Sequence, residues 1–374
     1  MLNFLKIIQK NLTILSNILT IKKKSPKIIF YSESKSYQKY SYLLLEVLAR
    51  KYPNKIWYVS SDQNDFFKDL KVNNLFIGKG LLMQYFFLSI KAESMILTIT
   101  DLNNHQIKKT KNINNYIYYF HAPGSTTKVY TETAFDNYDT ILCNGDYQLN
   151  EIKKREESKN LPKKKLIKSG YFYFDYLMER INKQFEPNEI LVAPSWNYSQ
   201  KNFINNNFEQ LMIKLIEKGY NVRFRPHPEN LKRSKPYLNK LITQFKGNKF
   251  IFDDHPENLK SMENAKYLIT DASGIAIEYV LMFQRPVLYL DDVDKVHNNK
   301  FFEYEDQTTM DQKIKDSFGY TFKKNEFNNI DIILSKAENE FKNKQTEIEN
   351  FLDNNFYNFN ETKKKLDDDI NRIL

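Results

Sequence analysis

The sequence contains 374 residues, a length that suits two domains better than one hydrophobic core. Its hydrophobic content of 41% and aromatic content of 15% exclude a disordered chain. The single cysteine, Cys143, excludes an internal disulfide framework and a cysteine-based zinc cluster. The net charge of +10 comes from lysines spread along the chain among acidic residues. We therefore expect no nucleic-acid partner and favour an anionic membrane surface or an anionic polymer substrate.

The N-terminal segment 1–24 has the pattern of an amphipathic helix that ends in lysines 22–24. Its apolar stripe consists of Leu5, Ile8, Leu12, Leu15 and Leu19. Such a helix either lies in a bilayer interface or packs on the neighbouring domain, and we favour the interface. No run approaches the about 20 apolar residues that a spanning helix needs. We therefore expect a cytoplasmic protein that is peripheral on the inner face of the cell membrane.

From residue 25 onward, short β-branched or aromatic runs alternate with helical stretches, which predicts parallel sheets flanked by helices. The predicted strands of a first unit are 27–31, 56–60, 75–77, 95–100, 117–120, 140–143 and 166–169. A polar stretch at 182–188 interrupts the rhythm, and a second unit follows, with strands at 190–193, 221–225, 249–252, 267–270 and 287–290.

This order predicts an α/β fold with two doubly wound Rossmann-like units that face a cleft, where ligands bind at the carboxyl ends of the strands. We predict a first domain at 25–185 and a second domain at 186–322. Within the latter, residues 291–322 are expected to be irregular and to cap the cleft. A helical tail at 323–374 completes the predicted organisation.

One segment, 267–290, reads as a buried strand, a tight turn, an apolar helix and a second strand. Asp271, Ser273 and Gly274 lie in the turn, and backbone amides at a helix N-terminus attract phosphate. Glu278 follows one helical turn later and can reach the ribose of a nucleotide. The alternative, a plain strand–helix–strand unit with a capped helix, is equally consistent with this segment.

Three histidines, His121, His227 and His255, follow predicted strands, and the neighbours of His121 and His227 make these two the candidates for acid–base chemistry. His227 ends a segment in which Arg223, Arg225 and His227 share one side of an extended chain. The guanidinium groups can hold phosphate oxygens and the histidine can donate a proton to a leaving phosphate. The alternative is that the arginines pair with Asp253 and Asp254 across the sheet.

His121, from the first unit, would face the cleft from the opposite wall, where it can remove a proton from an attacking hydroxyl. Gly124 and Ser125 then form an amide-rich turn, or simply cap a helix. Metal-ligand spacings, a Walker loop and a nucleophile elbow are lacking in the sequence, and Asp291, Asp292 and Asp294 suit a solvated loop better than a cation site. We expect neither a metal nor a cofactor.

Six segments, in this order, resemble the CDP-glycerol glycerophosphotransferases, the teichoic-acid and capsule polymerases of two-domain GT-B architecture. They are Phe120-His-Ala-Pro-Gly-Ser125, Thr140-Ile-Leu-Cys-Asn-Gly-Asp-Tyr-Gln148, Lys168-Ser-Gly-Tyr-Phe-Tyr-Phe-Asp-Tyr-Leu177, Val192-Ala-Pro-Ser-Trp196, Arg223-Phe-Arg-Pro-His-Pro228 and residues 268–290. The resemblance implies that His121 activates the acceptor hydroxyl and that His227, Ser273 and Gly274 hold the donor diphosphate. It also implies that 25–185 is the acceptor domain and that 186–322 is the nucleotide-donor domain, with the donor side lined by Pro194, Ser195 and Trp196.

The chain departs from the family pattern at two places. It has His121-Ala-Pro-Gly where the family usually has His-Gly-Thr-Pro, and Ala272-Ser-Gly where the family has Tyr-Ser-Ser. The second form, followed by Glu278, also resembles nucleotide-sugar GT-B glycosyltransferases and UDP-N-acetylglucosamine 2-epimerases.

Our leading hypothesis is a transferase that moves a polyol phosphate from a CDP-activated donor, such as CDP-glycerol, to a surface-polymer or lipid-linked acceptor at an anionic membrane. The first alternative is a nucleotide-sugar glycosyltransferase of capsule or lipopolysaccharide synthesis. The second is a membrane-associated scaffold that retains the fold without turnover.

Overall fold

The computed structural model describes residues 2–104, 107–182, 184–247, 249–291, 295–303 and 308–374. Seven parallel strands form a first sheet: β1 (Ile28–Ser32), β2 (Ile56–Ser60), β3 (Asn73–Phe76), β4 (Ala92–Leu97), β5 (Ile113–Tyr119), β6 (Thr140–Cys143) and β7 (Lys165–Lys168). Their order is β3-β2-β1-β4-β5-β6-β7. Because strand addition reverses direction at β1, the sheet is doubly wound and has a switch point between β1 and β4.

Six further parallel strands form a second sheet: β8 (Glu189–Val192), β9 (Asn221–Phe224), β10 (Phe250–Phe252), β11 (Ala265–Thr270), β12 (Val287–Leu290) and β13 (Gly319–Phe322). Their order, β10-β9-β8-β11-β12-β13, repeats the winding of the first sheet and places its switch point between β8 and β11. We call the part built on the first sheet the N-terminal lobe and the part built on the second sheet the C-terminal lobe. The predicted pair of doubly wound units is confirmed.

Helices cover both faces of both sheets. They are α1 (Leu2–Lys24), α2 (Gln38–Lys51), α3 (Leu81–Ser89), α4 (Asp146–Ser158), α5 (Phe172–Met178), α6 (Asn207–Glu217), α7 (Pro228–Arg233), α8 (Lys235–Gln244), α9 (Leu259–Asn264), α10 (Ile275–Phe283), α11 (Met310–Phe318), α12 (Ile330–Phe341), α13 (Gln345–Asn355) and α14 (Thr362–Ile373). Short 3-10 helices lie at Lys35–Tyr37, Lys201–Phe203, Phe301–Glu303 and Lys324–Asn329.

Strand alternation divides the core of each lobe into two layers. In β1, Ile28 and Phe30 pack with α2 and α14, whereas Ile29 and Tyr31 pack with α1 and α3 on the other face. All five residues of β1 are buried, which explains why this strand reads as an apolar run rather than as an alternating one.

The interface between the lobes contains α5, a helix that the sequence patterns did not reveal. Phe172 packs in the core of the N-terminal lobe, while Tyr173, Phe174 and Leu177 pack in the core of the C-terminal lobe. A helix buried from both sides has no polar face, so its aromatic run lacks the helical period that identifies a surface helix.

The expectation that residues 291–322 are irregular is wrong in its second half. Helix α11 buries Met310, Ile314 and Phe318, which recur at four-residue steps, and β13 extends the second sheet beside β12. The acidic residues Asp292 and Asp294 lie outside the described part of the chain. Helices α7 and α8 are separated at Ser234, after which α8 begins with a proline at its second position.

The predicted helical tail is confirmed, and it returns from the C-terminal lobe to the N-terminal lobe. Helix α12 packs against the second sheet, while α14 packs beside α2 on the first. The backbone N–H of Tyr357 donates to the backbone oxygen of Asn144 at 2.8 Å. Gly170 has φ +82°, and an added Cβ there would lie 2.2 Å from the backbone oxygen of Tyr357, so the close approach requires glycine.

Helix α1 has two apolar faces with different surroundings. Ile14, Ile18 and Ile21 are buried in the N-terminal lobe. By contrast, Leu5 and Leu12 of the predicted stripe are 55% and 61% exposed. Among the described helices, none has the length and apolar composition needed to cross a bilayer.

Candidate functional site

A cavity of about 510 Å³ lies between the carboxyl ends of the two sheets. The N-terminal lobe contributes residues that follow β4 and β5 and the start of α2. The C-terminal lobe contributes residues that follow β8, β9 and β11. Both switch points therefore open into the cavity, which is the place where doubly wound sheets bind ligands.

His121 lines the cavity from the N-terminal lobe. Its Nδ1 atom lies 2.7 Å from Oγ1 of Thr98, and its ring meets Tyr37 edge-on with the ring centroids 5.2 Å apart. Burial, assisted by the positive charges of Lys295 and Lys39, lowers the pKa of His121 to about 4. The imidazole is therefore neutral at physiological pH and able to accept a proton.

His227 lines the same cavity from the C-terminal lobe. Its Nδ1 atom accepts a hydrogen bond of 3.1 Å from the backbone N–H of Glu229, so the neutral ring carries its proton on Nε2. Burial is the main cause that lowers the pKa of His227 well below its usual value, and the charge of Lys295 acts in the same direction. His227 is therefore a neutral hydrogen-bond donor in the cleft.

The two arginines of β9 and its end have different environments. Arg225 lines the cavity, donates to Asp253 at 2.9 Å and donates to the backbone oxygen of His255 at 2.7 Å. Arg223 holds both carboxylate oxygens of Glu189, at 2.6 and 3.0 Å, and lies 3.6 Å from Asp253.

Both arginines pair with Asp253, which is the alternative that the sequence analysis left open. The donor-binding role expected of Arg223 does not fit its position, since its guanidinium neutralises Glu189 within the sheet. The acidic partner of both arginines is Asp253, the residue that follows β10, rather than the neighbouring Asp254.

The turn between β11 and α10 forms part of the cavity wall. Ser273 and Gly274 line it directly, immediately before α10 begins at Ile275. Asp271 acts from behind: its Oδ1 accepts hydrogen bonds from the backbone N–H groups of Ser195, at 2.8 Å, and Ala272, at 2.7 Å. Asp271 therefore fixes the position of the turn, and it lines a neighbouring cavity rather than this one.

The loop after β8 lies beside this turn. Pro194 and Trp196 line the cavity, and Ser195 is buried behind them. Pro194 and Trp196 of the predicted donor-side segment are therefore at the cleft, whereas the backbone N–H of Ser195 donates to Asp271 behind it.

Glu278 lines the cavity one turn into α10, as the sequence predicted. Its carboxylate accepts hydrogen bonds from the Tyr171 hydroxyl at 2.7 Å and from the Asn258 amide at 3.3 Å. Burial raises its pKa, an effect that the charge of Lys39 opposes. The two oxygens are thus held in place by Tyr171, which precedes α5 at the lobe interface, and by Asn258 of the C-terminal lobe.

Lys39, on α2, is a cavity residue that the sequence patterns missed. It is 6% exposed, and its Nζ donates to the backbone oxygen of Pro256 at 3.1 Å across the lobe interface. Burial lowers its pKa to about 8, and Arg225 acts in the same direction. The sequence gives no signal for it, because one lysine in an amphipathic helix ordinarily faces solvent.

Asp311 of α11 connects the lobes at the other side of the cleft. Its carboxylate accepts a hydrogen bond of 2.8 Å from the backbone N–H of Ser125, whose hydroxyl accepts one from the backbone N–H of Met310. A Cβ on Gly124 would lie 2.6 Å from Asp311 Oδ1, so glycine permits this contact. Gly124 and Asp311 line the cavity, whereas Ser125 lines an adjoining one of about 260 Å³.

Lys295 lines both cavities and is the second cation that the sequence patterns missed. Burial lowers its pKa, while Asp271 and Asp311 oppose that effect. In the described ranges, no group of three histidine, cysteine or acidic residues is arranged to hold a metal ion.

By sequence, the chain matches no described protein family and no curated protein. By structure, it is similar to the wall teichoic acid polymerase TagF, with a TM-score of 0.61, 16% identity and coverage of 98% of this chain and 94% of that one. A TagF variant soaked with CDPG gives a TM-score of 0.58 at 14% identity, with the same coverage.

UDP-GlcNAc 2-epimerase from Neisseria meningitidis, bound to UDP-GlcNAc, is also similar, with a TM-score of 0.57, 11% identity and coverage of 92% of this chain and 100% of that one. The S. aureus MnaA–UDP structure gives 0.57 at 9% identity, covering 93% and 96%. The chain therefore has the two-lobed GT-B fold, as the resemblance to teichoic-acid polymerases implied.

Proposed function

We propose that this protein transfers glycerol phosphate, or a related polyol phosphate, from a CDP-activated donor to a hydroxyl of a cell-surface polymer such as teichoic acid or capsule. The observation that carries this proposal is that His121 and His227, from opposite lobes, line one cavity beside the first turn of α10. The similarity of the fold to TagF, including a variant soaked with CDPG, supports the choice of donor.

In the proposed reaction, Nε2 of His121 takes the proton of the acceptor hydroxyl. The acceptor oxygen then attacks the phosphorus that bears the glycerol group, a new P–O bond forms, and the P–O bond to CMP breaks. This role requires the His121 tautomer that donates its Nδ1 proton to Thr98, because the Nε2 lone pair is then free.

Negative charge that builds up on the departing CMP needs stabilisation. The Nε2–H of His227, the backbone amides at Ser273 and Gly274, and the guanidinium of Arg225 are fixed donors in the cavity wall. Lys39 and Lys295 also line the cavity and add positive charge to it. Preorganised donors of this kind contribute about 3–4 kcal/mol each at other enzymes, so this set supplies a large effect without a metal.

Glu278 is the proposed partner of the ribose hydroxyls, since its carboxylate is fixed by Tyr171 and Asn258 within reach of a nucleotide whose diphosphate lies on α10. The same feature favours a second candidate, a nucleotide-sugar glycosyltransferase of capsule or lipopolysaccharide synthesis. The turn Ala272-Ser-Gly followed by Glu278 suits both donors, and structures holding UDP and UDP-GlcNAc share the fold.

A donor panel separates these candidates. Purified protein is titrated with CDP-glycerol, CDP-ribitol, UDP-sugars and CMP-sugars, and binding is followed by calorimetry. The proposal expects saturable binding of a CDP-polyol and weaker binding of UDP-sugars. Preference for a UDP-sugar identifies the glycosyltransferase instead, and binding of none of the four classes contradicts both.

We also propose that α1 holds the protein on the cytoplasmic face of an anionic membrane. Helix α1, with Leu5, Leu12 and Leu19 exposed, contacts α3, where Leu81 and Leu88 are also exposed. Lys22 lies over the ring of Tyr85 with its Nζ 5.0 Å from the centroid, at the border of this apolar surface. An apolar surface edged by lysines suits the interface of anionic lipids.

A further inference from the structure

We propose that Trp196, Tyr198 and His297 form a ring-stacking subsite, here called the aromatic platform, that binds a pyranose ring of the acceptor. The proposal rests on the proposed function in one respect, namely that the second substrate of this cavity is a hydroxyl-bearing acceptor. It extends that function by naming the chemical class of the acceptor: a sugar rather than a linear polyol phosphate.

The three rings contact one another at one end of the cavity. Trp196 and Tyr198 have centroids 4.4 Å apart, Trp196 and His297 5.7 Å, and Tyr198 and His297 5.6 Å. All three residues line the cavity, yet Tyr198 remains 63% exposed. An aromatic ring that faces a cavity without being covered is a surface on which a ligand with an apolar face can pack.

The loop that carries Tyr198 is held in an unfavourable conformation. Asn202 and Phe203 have φ values of 56° and 58°, and the left-handed region is uncommon for a bulky residue. Hydrogen bonds fix the loop: the backbone N–H of Asn197 donates to the oxygen of Phe203 at 3.1 Å, and the Ser234 hydroxyl donates to the oxygen of Asn202 at 2.5 Å. Strain of this kind is concentrated at binding sites.

The aromatic platform borders the proposed diphosphate site. The ring of Trp196 stacks on His227 with an interplanar angle of 28° and centroids 6.3 Å apart. Glu278, the proposed ribose partner, is instead surrounded by Tyr171, Asn258 and Lys39. With the nucleoside at Glu278 and the diphosphate at His227, the aromatic platform is left for the acceptor.

The rings also select the chemistry of the ligand. A pyranose has a flat face of C–H groups that packs on an aromatic face, and hydroxyl groups around its edge. Glycerol phosphate has no such face and carries a negative charge in every unit. A nucleobase also stacks on aromatic rings, so the test must separate a sugar from a base.

Trp196 is itself a suitable probe, because the chain has only two tryptophans. Trp57 lies in β2, in the core of the N-terminal lobe, so Trp57→Phe leaves Trp196 as the sole tryptophan. The fluorescence of Trp196 in this variant is followed while methyl pyranosides of hexoses and N-acetylhexosamines, glycerol 3-phosphate or CDP are added. We expect a saturable change for at least one pyranoside and none for glycerol 3-phosphate. Tyr198→Ala should weaken that binding about 10-fold or more, and Tyr198→Phe should retain it.

The proposal is overturned if no pyranoside in the panel changes the fluorescence, or if Tyr198→Ala weakens CDP instead, because the aromatic platform then holds the base. Should Trp57→Phe fail to fold, equilibrium dialysis of a radiolabelled pyranoside against wild type and Tyr198→Ala decides the same question. Failure of CDP-glycerol to bind contradicts the proposed function, whereas the pyranoside result stands on its own.

Discussion

The Nδ1 atom of His121 lies 2.7 Å from the hydroxyl oxygen of Thr98, and this contact joins the carboxyl ends of two adjacent strands, β4 and β5. The contact fixes the ring orientation and, when Nδ1 donates, leaves Nε2 free to accept a proton. Thr98 is therefore a positioning residue for the proposed base, comparable to the groups that orient histidines at other active sites.

Replacing Thr98 with valine removes the hydroxyl acceptor while keeping the side-chain shape. We expect kcat to fall about 10-fold, because the tautomer that serves as base loses its partner, and the Kd of the donor to change little. Thr98→Ser is the matched control and should retain most of the activity. Equal activities of the valine and serine variants would show that the contact does not position the base.

The low pKa of His121 predicts an unusual acid limb in the pH profile. Protonation destroys the base, so kcat/KM should fall as the pH drops through about 4 rather than through the usual histidine value. A bound anionic donor favours the imidazolium form, so the acid limb of kcat should lie at a higher pH than that of kcat/KM. An acid limb of kcat/KM at the ordinary histidine pKa would contradict the buried, positively charged environment of His121.

Arg223 and Arg225 should respond differently to substitution. Arg223→Met leaves the buried Glu189 carboxylate unpaired and should lower the free energy of unfolding by about 3–5 kcal/mol, with the Kd of the donor unchanged. The double variant Arg223→Met/Glu189→Leu should recover most of that loss. Arg225→Gln should weaken donor binding instead. Denaturant unfolding measures the loss of stability, and calorimetry measures the Kd of the donor. A weaker donor affinity in the double variant would show that Arg223 does contact the donor.

The exposed face of α1 is tested by substitution, because deleting the helix would also uncover the core packed on Ile14, Ile18 and Ile21. Leu5→Glu/Leu12→Glu should release the protein from vesicles that contain anionic lipid, since both charged groups would enter the apolar interface. Asn11→Glu, at an exposed polar position of the same helix, is the control for charge alone. Unchanged co-sedimentation of the double variant with vesicles would show that the exposed face of α1 does not bind the membrane.

The sequence predicted the two sheets well because parallel strands buried on both faces appear as short apolar runs between helices. It also predicted the cavity positions of His121, His227 and Glu278, since each follows a strand or turn at a carboxyl edge. It missed α5, whose two buried faces leave no helical period. Lys39 and Lys295 were missed as well, because only the approach of the second lobe turns a lysine on a helix or loop into a buried cation.

The direct test of the central claim is the rate of CMP release from CDP-glycerol, with acceptor present, by wild type, His121→Ala and His227→Ala. If the two histidines act on one diphosphate from opposite lobes, each substitution should reduce the rate at least about 100-fold while circular dichroism and thermal unfolding remain unchanged. Full activity in both variants, with wild type active, would contradict the account.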